Sequence, residues 1–473
     1  MTTELEQRVT VDRSVDDCFR YLLDFSTTEQ WDPGVYRATK RTPGPPREGT
    51  VFDLVISFMG RKLSMEYEFE SVEDGEELLL TGRGEGVESR DTISFRSVDG
   101  DRCEITLRAE LDLKRLPGPT EALARPLLER IGVKAITGLE RALTPQEEVA
   151  QQTFGEKLKY RALLPAAWDF TERGYLQMED KGLSHFVDGQ TAVVTGPTSG
   201  LGKATAKLLA RLGARLFLVG RDRERLEESK SEIIAFSGCR SDDLTIIEGD
   251  LSEMAQVRRT AEEIQSHTDE IQILVNNAGA LFDEHQLTSE GNERTLAVNL
   301  LAAFVLTSGL IDQLRAGSGR VINVASGGMY TQALKLSDMQ FQGDSFDGAK
   351  AYARVKRGLV ALTDHWAAQY DSSQVTFNSM HPGWADTSGV KNSLPGFYGA
   401  MKSRLRDARM GADTIVWLAT SPAVVGESGE FYFDRIPRRK AVFAGTQVSP
   451  TERAELVAWL QTRCDFPLPT TSP

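Results

Sequence analysis

Through the first 113 residues apolar and polar positions alternate with a period of two, the pattern of half-buried strands. Leu5–Val11 reads as a strand. Ser14 then caps a helix carrying Val15, Cys18, Phe19 and Leu22, and a loop with Trp31-Asp32-Pro33-Gly34 follows. Alternating segments at Thr50–Phe58, Leu63–Phe69, Glu77–Thr81, Asp91–Ser97 and Cys103–Leu113 predict an antiparallel meander. Glu73-Asp74-Gly75 and Asp99-Gly100-Asp101 supply turns between them. The period then changes. Leu123, Leu127, Ile131, Ile136, Leu139 and Leu143 share one helical face, with Pro126 kinking that helix or marking a later start. Residues 1–146 therefore read as one α+β domain.

Residues 147–188 form a connection. Its stretch LKYRALLPAAWDFTERGYLQM is too apolar for a free linker. Leu163, Leu164, Trp168, Phe170, Tyr175 and Leu176 need a surface, and the following domain is the expected one. A weak peripheral membrane contact ranks lower, because Asp169, Glu172, Glu179 and Asp180 oppose anionic lipid. Across residues 189–473 short apolar runs alternate with helical periods. Strands are expected at Thr191–Thr195, Arg215–Val219, Leu244–Glu248, Ile271–Val275, Val321–Val324, Val375–Ser379 and Phe431–Phe433. Helices at Arg223–Phe236, Ser252–His267 and Tyr352–Tyr370 fall between them, which predicts an α/β doubly wound parallel sheet of Rossmann type.

Composition narrows the partners. A net charge of -14 over 473 residues opposes nucleic acid as a ligand, since phosphate backbones need a basic face. The four cysteines stand far apart and five histidines are scattered, so no metal site is expected and a reducing compartment is the default. No apolar run is long enough to span a bilayer, and the first ten residues lack a signal pattern; the expected location is cytoplasmic.

The chemistry gathers where strands end. Thr191–Thr195 breaks into Gly196-Pro197-Thr198-Ser199-Gly200-Leu201-Gly202 before an amphipathic helix. Strand, glycine turn and helix is a phosphate cradle: Gly196 permits the turn, Gly200 the approach of backbone to pyrophosphate, and Gly202 close packing of helix on strand. Tyr352-Ala353-Arg354-Val355-Lys356 places a phenol and an ammonium on one helix face. A nearby ammonium stabilises phenolate and is expected to lower the tyrosine pKa.

TGxxxGxG, Asn276-Asn277-Ala278-Gly279, Asn299 in LAVNLLAAF, Ser326 in VINVASGG and YxxxK occur here in one order, and together they resemble the short-chain dehydrogenase/reductase family. The resemblance covers roughly Gly189 to Val442. It implies that Tyr352 transfers the proton, Lys356 tunes it and holds the nicotinamide ribose, Ser326 binds the substrate oxygen and Asn299 orders a relay water. Asp250-Leu251 would contact adenine, and Asn277, Ala278 and Gly279 the adenosine ribose. Pro382 and Gly383 would turn the chain toward the nicotinamide, with Thr387 on its amide or the phosphates. Arg221 ends the second strand where NAD enzymes carry an acid, which favours NADP(H) over NAD(H). Asp222 follows it directly. The insert between Ser326 and Tyr352 resembles that of retinol-dehydrogenase-like members. His381 reads as a strand-end packing residue. Residues 388–410 occupy the variable substrate lid, whose apolar content suggests a hydrophobic substrate. Family members commonly form dimers or tetramers through their helices, which leaves a homo-oligomer open.

The first domain, a strand, a helix, a curved antiparallel sheet and a long last helix, resembles the START-like (SRPBCC) helix-grip superfamily of polyketide cyclases and lipid-transfer proteins. That implies an apolar cavity for a lipid, sterol or polyketide; a filled core is the alternative. No histidine precedes His185, and Glu66, Glu68, Glu70 and Asp91 read as solvated strand positions. Binding is therefore expected of this domain rather than catalysis. The whole reads as a hydrophobic carbonyl or alcohol oxidoreductase with a fused ligand-binding domain. Its rivals are a lipid-transfer protein whose second half senses NADPH, and a cyclase or dehydratase joined to a reductase.

Overall fold

The structure, a computed structural model, describes residues 2–42, 44–58, 61–84, 86–99, 102–113, 121–143, 167–176, 186–342, 346–386, 395–443 and 445–466. The described residues divide into two compact units, 2–143 and 167–176 with 186–466.

The first unit opens with β1 (Thr2–Val11) and α1 (Val15–Leu23), whose first turn is capped where Asp17 N donates to Ser14 Oγ at 3.2 Å. Six strands follow: β2 (Val35–Lys40), β3 (Val51–Phe58), β4 (Arg61–Glu73), β5 (Glu77–Gly84), β6 (Val87–Asp99) and β7 (Arg102–Leu113). They form an antiparallel sheet in the order β1-β7-β6-β5-β4-β3-β2, closed by α2 (Glu121–Leu143). Helix α2 runs continuously through position 126. Strand β2 was not expected. A register shift between Val35 and Arg37 breaks its period of two, so that Val35 and Ala38 are the buried positions. Inside the sheet, Phe52 meets Phe69 edge to face at 5.5 Å and Phe19 meets Phe95 at 5.4 Å. Glu66, Glu68 and Glu70 face outward as expected and pair with Arg41, Arg83 and Arg90. Asp91 does not: it occupies an inward position of β6, correcting the solvated placement read from sequence.

The second unit builds β8 (Thr191–Thr195), α3 (Gly200–Arg211), β9 (Arg215–Gly220), α4 (Arg223–Ser237), β10 (Leu244–Glu248), α5 (Met254–His267) and β11 (Ile273–Asn276). Strand β11 begins two residues later than expected, because Ile271 N is drawn to Gln313 O at 2.9 Å. A helical stretch, Arg294–Leu296, passes through one π-helical segment, Ala297–Leu301, into Ala302–Gly309; together these are α6. Then come β12 (Gly319–Val324), α7 (Gly348–Gln369), β13 (Val375–His381), α8 (Ala408–Thr420), β14 (Phe431–Phe433), β15 (Ile436–Pro437) and α9 (Pro450–Cys464). The sheet order is β10-β9-β8-β11-β12-β13-β14-β15, parallel up to β14. Order reverses between β8 and β11, and a doubly wound sheet opens its ligand crevice at that switch point, at the carboxyl ends of the strands.

Candidate active site

The glycine turn lies at the switch point. Gly196 has φ +68° and Gly200 φ +51°, left-handed values that cost a side chain strain. A Cβ on Gly202 would run into Gly196 O and Asn277 Nδ2, so the helix packs there only without one. Ser199 is the N-cap of α3, yet its side chain makes no cap hydrogen bond, and the first amides of α3 are left for another acceptor. Thr198 is half-buried, and Leu201 packs against Gly411 of α8. Thr195 stitches this turn to the next strand end: its Oγ1 accepts from Asn277 N at 3.0 Å and Ala278 N at 2.9 Å, while Asn277 Nδ2 donates back to Thr195 O at 2.8 Å.

Around the crevice, Arg221 is exposed at the end of β9. Asp222 is engaged as the N-cap of α4, accepting from Arg225 N at 3.1 Å. Asp250 holds its own turn, accepting from Ser252 N and Oγ at 2.9 and 2.8 Å, and Leu251 is buried.

Four elements converge on the chemical centre. Asn299 sits in the π-helical segment of α6, where its Nδ2 donates to Ala280 O at 2.7 Å and Thr295 O at 2.8 Å. Its Oδ1 is sealed and has no hydrogen-bond partner. Gly279 lies against both partners of the pair: a Cβ there would stand 2.5 Å from Asn299 Oδ1 and 3.2 Å from Lys356 Nζ. Lys356 Nζ donates to Val324 O at 2.8 Å and lies 5.5 Å from the Tyr352 ring centre. Ser326 lies two residues beyond β12, and its Oγ accepts from Gly328 N at 3.2 Å. Gly328 packs between Ser326 and Ala353, the residue after Tyr352. An orphaned acceptor, an uncapped helix end and a glycine cradle that a Cβ would fill fit a bound dinucleotide.

Burial dominates the electrostatics. It pushes the Tyr352 phenol up to about 12 and the Lys356 ammonium down to about 7. Burial thus opposes the lowering of the Tyr352 pKa expected from its neighbour.

His381 stays a packing residue. It is stacked among Phe170 and Phe433, with ring centres 5.0 and 5.3 Å away, and burial pushes it down to about 3. Its Nδ1 accepts from Gly327 N at 3.2 Å, bracing the residue after Ser326. Pro382 and Gly383 follow β13, Gly383 with φ +77° against Arg406. Thr387 lies outside the described residues, as do Leu163, Leu164 and residues 388–394 of the lid.

Several supporting residues were missed in the sequence. Arg354 and Arg357 flank Lys356 and are buried. Arg354 pairs with Asp338 at 2.7 Å, and Arg357 donates to Met329 O at 2.7 Å, so α7 grips the insert beyond Ser326. Arg406 is buried in a bidentate pair with Asp434 at 2.5 and 2.8 Å and also donates to Thr171 O and Asp169 O. Trp384 N donates to Phe170 O at 2.7 Å, and Tyr175 OH to Asp413 Oδ1 at 3.3 Å. Residues 167–176 thus pack on the second unit. For Arg354 and Arg357 the usable signal was a charged residue inside an otherwise apolar helical face.

Comparison with known proteins gives the family. Residues 190–396 match the short chain dehydrogenase family, and residues 2–144 match the family described as polyketide cyclase / dehydrase and lipid transport. Fold and site define an oxidoreductase of CH–OH and C=O groups that uses NAD(P), and the chain belongs to the short-chain dehydrogenase/reductase family. It is 40% identical over 318 residues to dehydrogenase/reductase SDR family member 12 of Bos taurus, covering 64% of this chain and 98% of that one. It is 35% identical over 248 residues to the putative daunorubicin C-13 ketoreductase DnrU of Streptomyces sp. (strain C5), covering 52% and 84%. With retinol dehydrogenase 14 of Mus musculus it shares 32% over 270 residues, covering 54% and 80%. Among the described residues no helix is long and apolar enough to cross a membrane.

Proposed function

We propose that this chain is an NADP(H)-dependent reductase or dehydrogenase of a lipophilic carbonyl or alcohol, with an N-terminal domain that holds a lipophilic ligand. The observation that carries it is the convergence at Gly279, where a Cβ would stand within contact distance of both Asn299 Oδ1 and Lys356 Nζ. The exposed Arg221 supports NADP(H), since a guanidinium suits a ribose 2′-phosphate. Relatives named for a daunorubicin ketone and for retinol support an apolar substrate.

Bound NADPH supplies a hydride to the carbonyl carbon, and NADP+ accepts it in the reverse direction. The residues govern the oxygen and its proton. Ser326 donates a hydrogen bond to the carbonyl oxygen as negative charge develops there. Tyr352 gives that oxygen its proton, and its high pKa keeps the phenol protonated until then. Lys356 balances near neutrality, and its ammonium form stabilises the phenolate that remains. The unpartnered Oδ1 of Asn299 is the acceptor that would hold a water returning a proton through Lys356. Gly196, Thr198, Ser199, Gly200, Leu201 and Gly202 hold the pyrophosphate, and Asp250, Leu251, Asn277, Ala278 and Gly279 the adenosine. Pro382 and Gly383 would border the nicotinamide; Thr387 is assigned there by the family resemblance alone.

Titrating NADP+ and NAD+ into the full chain, then screening long-chain and polycyclic ketones with NADPH, tests the reading. Tighter NADP+ binding and turnover lost in Tyr352→Phe support it. Tighter NAD+ binding, or turnover unaffected by Tyr352→Phe, overturns it.

A further inference from the structure

The inner face of the N-terminal sheet carries a polar group that hydride chemistry does not use. The inward positions of β6 include Ser89, Ile93 and Phe95, all buried. Asp91 takes the inward place between Ser89 and Ile93. In the ladder it pairs with Leu80 on one side and Ala109 on the other, and Leu80 pairs in turn with Phe69. A carboxyl thus stands in an otherwise apolar row. Its Oδ1 is sealed from solvent and has no hydrogen-bond partner, a condition that native interiors rarely leave standing.

The adjoining row explains how the polar groups meet. Tyr67, Gly82 and Ser89 are paired in register across β4, β5 and β6. A Cβ on Gly82 would overlap Ser89 Oγ and stand 2.7 Å from the Tyr67 ring, so only glycine lets Tyr67 lie across β5. There its hydroxyl accepts from Ser89 Oγ at 3.2 Å and lies beside Asp91. Asp32, fixed by Gly34 N donating to its Oδ1 at 2.7 Å, acts electrostatically on both Tyr67 and Asp91. Burial pushes Asp32 up to about 6 and Asp91 up to about 7. Near neutral pH Asp91 can therefore donate as an acid or accept as a carboxylate. Among the described residues next to it, the sheet face keeps partial access. Cys103 and Ile105 of β7 are sealed, whereas Leu107, Ala109 and Leu111, further along the same inward row, keep partial access.

We propose that Asp91, with Tyr67, Ser89 and Asp32, is the polar end of a ligand site on this face, which takes an apolar molecule through one ketone or hydroxyl oxygen. The proposal rests on the reading that the N-terminal domain holds a lipophilic ligand. A neutral carboxyl donates to a ketone, and a hydroxyl donates to the free Oδ1. An ammonium ligand would instead require Asp91 ionised within an otherwise apolar row and the ammonium itself stripped of water.

The test uses the full chain and two dyes, propionyl-dimethylaminonaphthalene, which bears a ketone, and dimethylaminonaphthalene, which lacks it. Fluorescence titration of wild type should show about tenfold tighter binding of the ketone dye, the scale of one buried hydrogen bond. Asp91→Leu should abolish that preference while still binding the ketone-free dye, whose binding shows the apolar face intact. Equal binding of both dyes by wild type overturns the proposal and leaves the ligand-holding domain standing; binding of neither overturns both. If Asp91→Leu binds neither, Asp91→Asn decides: a reduced preference supports the proposal, and an unchanged one overturns it.

Discussion

Gly279→Ala probes the active centre directly. The new methyl would stand 2.5 Å from Asn299 Oδ1, about 1 Å inside ordinary contact, and 3.2 Å from Lys356 Nζ. Neither neighbour can yield freely. Asn299 is tethered by Nδ2 to Ala280 O and Thr295 O, and Lys356 by Nζ to Val324 O. Overpacking costs about 1–3 kcal/mol, and loosening one tether adds about 0.5–1.5 kcal/mol. A loss of roughly 2–4 kcal/mol corresponds to a Tm lower by roughly 4–16 °C for a unit of this size. Scanning calorimetry reads it in the transition that NADP+ shifts upward, which marks the dehydrogenase unit. The decisive comparison is a double-mutant cycle. In an Asn299→Ala background the clashing oxygen is gone, and adding Gly279→Ala should cost below about 1 kcal/mol. An equal cost in both backgrounds would refute the contact as the source of strain. Turnover of Gly279→Ala should fall about a hundredfold, since misplacement of catalytic groups by about 1 Å has that scale.

Three further outcomes are expected. Arg221→Asp should move the kcat/KM ratio from NADPH toward NADH, and unchanged NADPH selectivity would remove the basis of the NADP(H) reading. Arg406→Leu strands Asp434 and two carbonyls in the interior and should cost about 3–5 kcal/mol in denaturant unfolding, with much of the loss recovered by also changing Asp434→Leu. For pH, burial disfavours the Lys356 ammonium, so the charged form is present below about pH 7 and lost above it. In the reduction direction kcat/KM for NADPH, which reports the free enzyme, should be level below about pH 7 and fall up to tenfold per unit above it; a profile level to about pH 9 would contradict the assignment to Lys356.

The parallel sheet was legible because its strands are short, continuous apolar runs bounded by glycine and asparagine turns, and because the helices between them are periodic. Asn299, Ser326, Tyr352 and Lys356 could be proposed together from the sequence because each sits at a fixed place in a local pattern. Strand β2 was hidden by its bulge, which places Val35 and Ala38 three apart. Asp91 was misread because an alternating strand normally turns its acids outward. Only the three-dimensional row shared with Phe69 and Leu80 shows that one acid faces inward. Arg354, Arg357 and Arg406 were passed over because an arginine in a helix or loop looks solvated until its carbonyl partners are brought to it by distant segments. The acidity of Tyr352 could not be read from YxxxK alone, since the motif states the neighbour and omits the burial.

Transfer of label from NADPH deuterated at its transferable nicotinamide position tests the dehydrogenase reading most directly. The full chain is incubated with labelled NADPH and a lipid extract, beside Tyr352→Phe, and the products are searched by mass spectrometry. A lipophilic alcohol carrying one deuterium on carbon, formed by wild type and absent with Tyr352→Phe, is the expected result and identifies the substrate. Label in the same product at the same rate with Tyr352→Phe would contradict the proton transfer assigned to that phenol.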